Sequence, residues 1–193
     1  MSDANDSNDV IPSSDPFAMA THIKTQGPAP VHLWDPPYCG SIDMKILSDG
    51  SWLHEGRPIR RQALIRLFSS ILKREGEEYF LVTPLEKVGI EVEDCPFVVI
   101  DMEVEGSGTN QSISFTTNMG DQVSLDSEHP LSVDTVGENA EPRPRLLVRD
   151  ALPALIKRSV FYRLVDLAVE KEQNGQRSLG VWSRQSYFPL GSV

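Results

Sequence analysis

Three arginines, Arg57, Arg60 and Arg61, fall within five positions of one another just ahead of a helical pattern. A guanidinium carries a permanent charge and a fork of N–H donors. The first turn of a helix adds unpaired N–H groups and the positive end of the dipole, so this arrangement suits an anion such as phosphate. Arg149 stands in the same relation to a second helical pattern, with Arg158 two turns inside it. Trp52, Tyr79 and Tyr162 offer rings on which a base could stack, although aromatics at these spacings more often belong to the core or its edge. The plainer account of the arginines is pairing with carboxylates, because 28 acidic residues face 18 basic ones.

Catalytic signatures are missing from the sequence. It holds no phosphate-binding glycine loop, no GxSxG elbow and no HExxH pair. The histidines, His22, His32, His54 and His129, are scattered. His54 adjoins Glu55, but neighbours on a strand point to opposite faces, so His54 reads as structural. An enzyme would have to draw on an unfamiliar set such as His54 or His129 with Asp43 or Glu86. Glu91, Glu93 and Asp94 lack the ligand spacing of a calcium loop and read as a solvated face, so neither a metal nor a cofactor is expected. Cys39 and Cys95 stand far apart and read as reduced thiols.

The formal net charge of −10 argues against a nucleic-acid polymer or an anionic membrane as partner, since either requires a positive field. No apolar run is long enough to cross a bilayer, the strongest being Phe97 to Ile100. These features predict a cytoplasmic protein.

The elements that must position these residues follow from hydrophobic period. Residues 1 to 37, rich in Ser, Asn, Asp and Pro, read as a disordered acidic tail. Residues 38–96 form a first unit: a hairpin around Ser48-Asp49-Gly50, a helix carrying Leu64, Leu67, Phe68, Ile71 and Leu72 and ended by Gly76, then two strands. Residues 97–193 form a second, strand-rich unit. A meander runs over 98–105, 112–117 and 122–125, and most of residues 132–144 reads as an exposed loop. A long helix is predicted from an Asp150 N-cap to Asn174 and Gly175, with strands at 179–182 and 187–190 closing the chain. The fold class is α+β: two small units of antiparallel strands, each with one main helix. Thr83 and Thr117 precede paired strands, and Pro96 and Pro130 follow them at the same spacing, which hints at an internal duplication.

The strings Cys39-Gly40-Ser41-Ile42-Asp43, Asp49-Gly50-Ser51-Trp52-Leu53-His54-Glu55-Gly56, Leu81-Val82-Thr83-Pro84-Leu85-Glu86-Lys87 and Val92-Glu93-Asp94-Cys95-Pro96-Phe97 form a recognisable set. With Thr117-Asn118, His129-Pro130, Arg149, Arg158 and Phe161-Tyr162, the chain from Tyr38 to Leu190 resembles a bacterial family, domain of unknown function 1285. The resemblance implies a duplicated α+β core whose C-terminal part is similar to a pleckstrin-homology barrel. It also implies a signalling module able to hold a nucleotide-like ligand between its units. Three functions therefore stand as expectations: a ligand-binding or signalling module, a protein-interaction adaptor, and an enzyme with an unfamiliar site. The arginines favour the first.

Overall fold

The protein is described from a computed structural model, which covers Pro16 and residues 28–136, 141–173 and 176–192. In chain order the elements begin with β1 (Tyr38–Ile46), β2 (Trp52–His54), β3 (Arg57–Pro58), α1 (Gln62–Ser70), β4 (Leu72–Glu75), β5 (Glu78–Val82) and β6 (Lys87–Val92). Next come β7 (Phe97–Glu105), β8 (Ser112–Thr117), β9 (Gln122–Ser124), β10 (Leu131–Val136), β11 (Glu141–Arg149) and β12 (Leu152–Ile156). The chain ends with α2 (Arg158–Asp166), β13 (Val169–Gln173), β14 (Gln176–Ser183) and β15 (Ser186–Ser192). The fold is mostly sheet. Contacts divide it into two strand-rich units, each with one longer helix among the described residues, and it includes a curled half-barrel sheet. Met1–Ile42 with Arg61–Ile90 form the first unit, and Asp43–Arg60 with Glu91–Val193 the second.

In the first unit, α1 buries Ile65 and Phe68, and the chain turns directly into β4, whose Leu72 is also buried. The sequence reads Leu72 as helical because it lies at helical spacing from Phe68. In fact the Ile71 N–H closes the helix on the Phe68 and Ser69 carbonyls, and Ile71 O then accepts from Val82 N–H in the sheet. Gly76 does not end a helix. It sits at φ +62° in the turn of the β4–β5 hairpin, where Glu75 faces Glu78. Residues 28–37 also depart from the tail reading. Ala29 and Val31 are buried, and Ala29 N–H donates to Ser70 O at 2.9 Å. Two small apolar side chains among prolines give no period to detect. Apart from Pro16, residues 1–27 lie outside the described residues.

In the second unit the expected hairpin is present, with Met44 opposite His54 and Ile46 opposite Trp52. Its turn places Gly50 at φ +86° against Asn118. Six strands form a sheet in the order β10-β11-β12-β7-β8-β9, in which β12 and β7 pair in parallel, Ala154 with Phe97 and Ile156 with Val99. The other ladders in this sheet are antiparallel. Burying Phe97 and Phe115 completely contributes about 1.5–3 kcal/mol each. The three-stranded sheet β13-β14-β15 is tied to the meander by polar bonds. Gln111 Nε2 donates to Trp182 O at 2.7 Å, and Ser183 Oγ donates to Leu125 O at 2.7 Å.

Two expectations fail in this unit for physical reasons. Residues 132–136 and 141–144 are strand rather than loop: β10 pairs with β11 from Leu131–Leu146 to Val136–Glu141, and residues 137–140 lie outside the described residues. Pro142 and Pro144 are tolerated there because the β11–β12 ladder begins only at Arg145. The long helix is also absent. Asp150 is no N-cap. It and Ala151 adopt φ +43° and +63° as the two central residues of the β11–β12 hairpin turn, the backbone of a type I′ turn. Leu152, Ala154 and Ile156 then alternate inward with a period of two, and helix is confined to Arg158–Asp166. Leu152, Leu155 and Ile156 fit both periods, and Pro153 fits both a first helical turn and the irregular stretch of ladder beside the bulge between Leu147 and Arg149.

Candidate functional site

Neither helix start has an ordinary cap. Arg61 occupies the N-cap of α1 and Lys157 that of α2, with no side-chain cap hydrogen bond at either. Neither first turn contains an acidic residue. Ser, Thr, Asp or Asn usually fill the first position and Asp or Glu the turn, because both answer the free N–H groups and the dipole. A chain with 28 acidic residues leaves both places to basic residues or none.

The arginines divide into two groups. Arg143 and Arg145 bind Asp94 at 2.6 and 2.8 Å, Arg163 binds Asp101 at 2.6 Å, and Arg184 binds Asp126 at 3.3 Å. For these the carboxylate account holds. Among the described residues, none lies within ion-pair reach of Arg57, Arg60 or Arg61, and all three are exposed. Arg57 lies on β3, and Arg60 and Arg61 lead into α1.

Arg149 does not precede a helix. It ends β11, mostly buried, with its guanidinium 4.7 Å from the centroid of the Phe97 ring and 3.3 Å from Asp121 Oδ2. Burial pushes its pKa below the usual arginine value, against the pull of Asp121. Arg158, expected inside the helix, instead opens it. Its side chain is 70% exposed and shares a loose 3.3 Å pair with Glu141. Tyr162, one turn on, is 58% exposed on the same helix. Trp52 is 1% exposed in the hairpin core, so its ring faces are not open to a base. Lys157 was missed because the predicted helix ran through it.

The other candidates are engaged locally. Glu93 and Glu91 pair with Lys45 at 3.3 and 3.6 Å, and Glu93 Oε2 accepts Ser48 N–H. That backbone bond, followed by Lys45, holds the Glu93 carboxyl below its usual range. His129 Nδ1 lies 3.0 Å from Asp126 Oδ1, which also accepts the Glu128 and His129 backbone N–H groups. His129 is thus paired with Asp126 rather than with Asp43 or Glu86. Among the described residues, no cluster of His, Cys, Asp or Glu is placed to hold a metal. Nor is any helix among them long and apolar enough to cross a membrane.

Two family models match the chain. "Domain of unknown function (DUF1285), N-terminal domain" matches residues 29–95, and "Protein of unknown function (DUF1285), C-terminal domain" matches residues 96–190. A solved structure of a DUF1285 family protein from Silicibacter pomeroyi DSS-3 is similar at 49% identity and TM-score 0.86, over 93% of this chain and 96% of that one. A second, from Shewanella baltica OS155, shares 24% identity and TM-score 0.51 over 65% of this chain and 91% of that one, and supports the fold alone. No curated protein matches the chain.

Proposed function

The chain belongs to the DUF1285 family, and from that premise we propose that it is a cytoplasmic, non-enzymatic binding module for a small nucleotide-like anion. The observation that carries this reading is the pair of helix starts with basic caps and no acid in the first turn. At α1, Arg57, Arg60 and Arg61 are free of carboxylates among the described residues. At α2, Arg158 gives up only an exposed pair, worth ~0–1 kcal/mol, to meet a ligand. A phosphate at the α2 start leaves Tyr162, one turn along the same helix, as the ring for a base. Ligand binding that favours one conformation of such a module is how it would signal.

The duplicated ancestry and the pleckstrin-homology likeness of the C-terminal part belong to the same reading. Supporting the duplication, Thr83 Oγ1 accepts the Leu85 and Glu86 N–H groups, and Thr117 Oγ1 accepts those of Met119 and Asp121. Two buried threonines thus organise similar turns at the ends of strands, the second one residue longer.

The test is a calorimetric titration of the full chain with nucleotides and inorganic phosphate, alongside a turnover assay. Saturable binding without turnover agrees with the proposal. Turnover would make the protein an enzyme, and no response to any anion would remove the reading.

A further inference from the structure

The three-stranded sheet carries a second chemistry that does not depend on the anion reading. Lys171 Nζ lies 4.8 Å from the centroids of both the Trp182 and Tyr187 rings, which are 5.4 Å apart at an interplanar angle of 63°. An ammonium and two π faces therefore form a near-equilateral triangle. Lys171 has no carboxylate within ion-pair reach among the described residues, although Glu170 and Glu172 flank it on β13. Strand alternation sends those two to the other face.

The rings are fixed in place. The Tyr187 hydroxyl is held by Ser178 O at 2.8 Å and by Val169 O and Ser178 Oγ at 3.2 Å. Its ring lies across Gly180, where an added Cβ would come within 2.6 Å of Tyr187 Cζ. Trp182 pairs with Tyr187 across the β14–β15 ladder. All three side chains remain partly open to solvent.

We propose that Trp182 and Tyr187 form a binding site for a quaternary ammonium group, which Lys171 fills in the free protein. A primary ammonium is compact and strongly hydrated, so it gives up much of its water to sit on the rings. A tetraalkylammonium spreads its charge over methyl groups, loses less hydration, and gains apolar contact with both rings as well as cation–π attraction. The net charge of −10 draws such a cation in. Lys171 acts as a built-in competitor.

The experiment follows the Trp182 indole N–H resonance of the full chain during titration with tetramethylammonium and choline, with tert-butanol as the neutral control. A saturable shift with the cations alone is expected. Affinity should rise about fivefold or more in Lys171→Ala, because a resident competitor lowers apparent affinity by the fraction of sites it holds. It should fall in Trp182→Phe, which keeps a ring but weakens the attraction and is followed through the Tyr187 ring resonances instead. Co-sedimentation with phosphatidylcholine vesicles would place the group on a lipid, and response to free choline alone on a soluble compound. An equal response to tert-butanol, no saturable shift in Lys171→Ala, or the same affinity with and without Lys171 would overturn the proposal.

Discussion

Arg145 Nη2 donates to Asp94 Oδ1 at 2.8 Å while Arg143 Nη2 takes the other carboxylate oxygen at 2.6 Å. One acid, its side chain 6% exposed, thus joins the turn before β7 to strand β11.

Burial alone would raise the Asp94 pKa, but Arg145 and Arg143 outweigh it and hold the carboxyl below its usual value. The stabilisation is therefore present above the unfolded value of about 3.9 and is lost as pH falls through the lower folded value. Asp94→Asn should cost about 2–3 kcal/mol at pH 7, less than a fully buried pair because both arginines are a third exposed. Denaturant melts across pH check this: the difference from the unaltered protein should narrow as pH falls below about 4. A difference independent of pH would assign the cost to packing.

Gly50 is required twice over. Its φ of +86° disfavours any side chain, and an added Cβ would lie 2.5 Å from Asn118 Nδ2. Asn118 cannot move freely, because its Oδ1 accepts Val98 N–H and its own N–H donates to Val98 O. Gly50→Ala should destabilise by about 1–3 kcal/mol in thermal or urea unfolding. Gly89→Ala crowds the Ser41 hydroxyl at 2.7 Å, a side-chain tip that can rotate at the expense of its exposed bond to Tyr38, so its cost should be smaller.

Burial, then the neighbouring Asp94 charge, pushes the Cys95 thiol up to about 12. A raised thiol pKa means that its contribution to stability is complete below about 8.5 and is lost as pH climbs towards 12. In native protein at pH 8, a thiol-disulfide reagent should modify the half-buried Cys39 and spare Cys95 until denaturant is added. Rapid native labelling of both would contradict the buried environment.

Arg149 and Arg158 should separate stability from binding. Arg149→Lys loses the planar contact with Phe97 and should cost about 1–2 kcal/mol. Arg158→Ala should change stability by less than about 0.5 kcal/mol. If α2 receives the anion, the same substitution weakens nucleotide binding by about 1.5–3 kcal/mol, the range for a charged hydrogen bond, as calorimetry would show.

How much was legible depended on whether one period fitted a segment. The β1–β2 hairpin and the β7–β8–β9 meander could be read because alternation and turn residues agree there. The stretch from Leu152 to Ile156 satisfies both periods, and its strand partners decide for strand: β11 across the Asp150–Ala151 turn and β7, some 55 residues earlier. The same long-range decision moved a helix start from Arg149 to Lys157 and Arg158. That Arg57, Arg60 and Arg61 meet no carboxylate among the described residues was invisible for a different reason: pairing depends on which carboxylates arrive nearby, and spacing along the chain does not encode that.

The parallel ladder between β7 and β12 also bears on how the chain is made. Phe97, Val98 and Val99 leave the ribosome well before Ala154, Leu155 and Ile156, the strand that completes their ladder. At ~5–20 residues per second, one side of β7 waits about 3–11 s for that partner. During that interval an apolar strand edge stays open to wrong pairing or to a chaperone. Synthesis rate over residues 100–155, rather than the stability of the finished sheet, should therefore govern how much soluble protein a cell obtains.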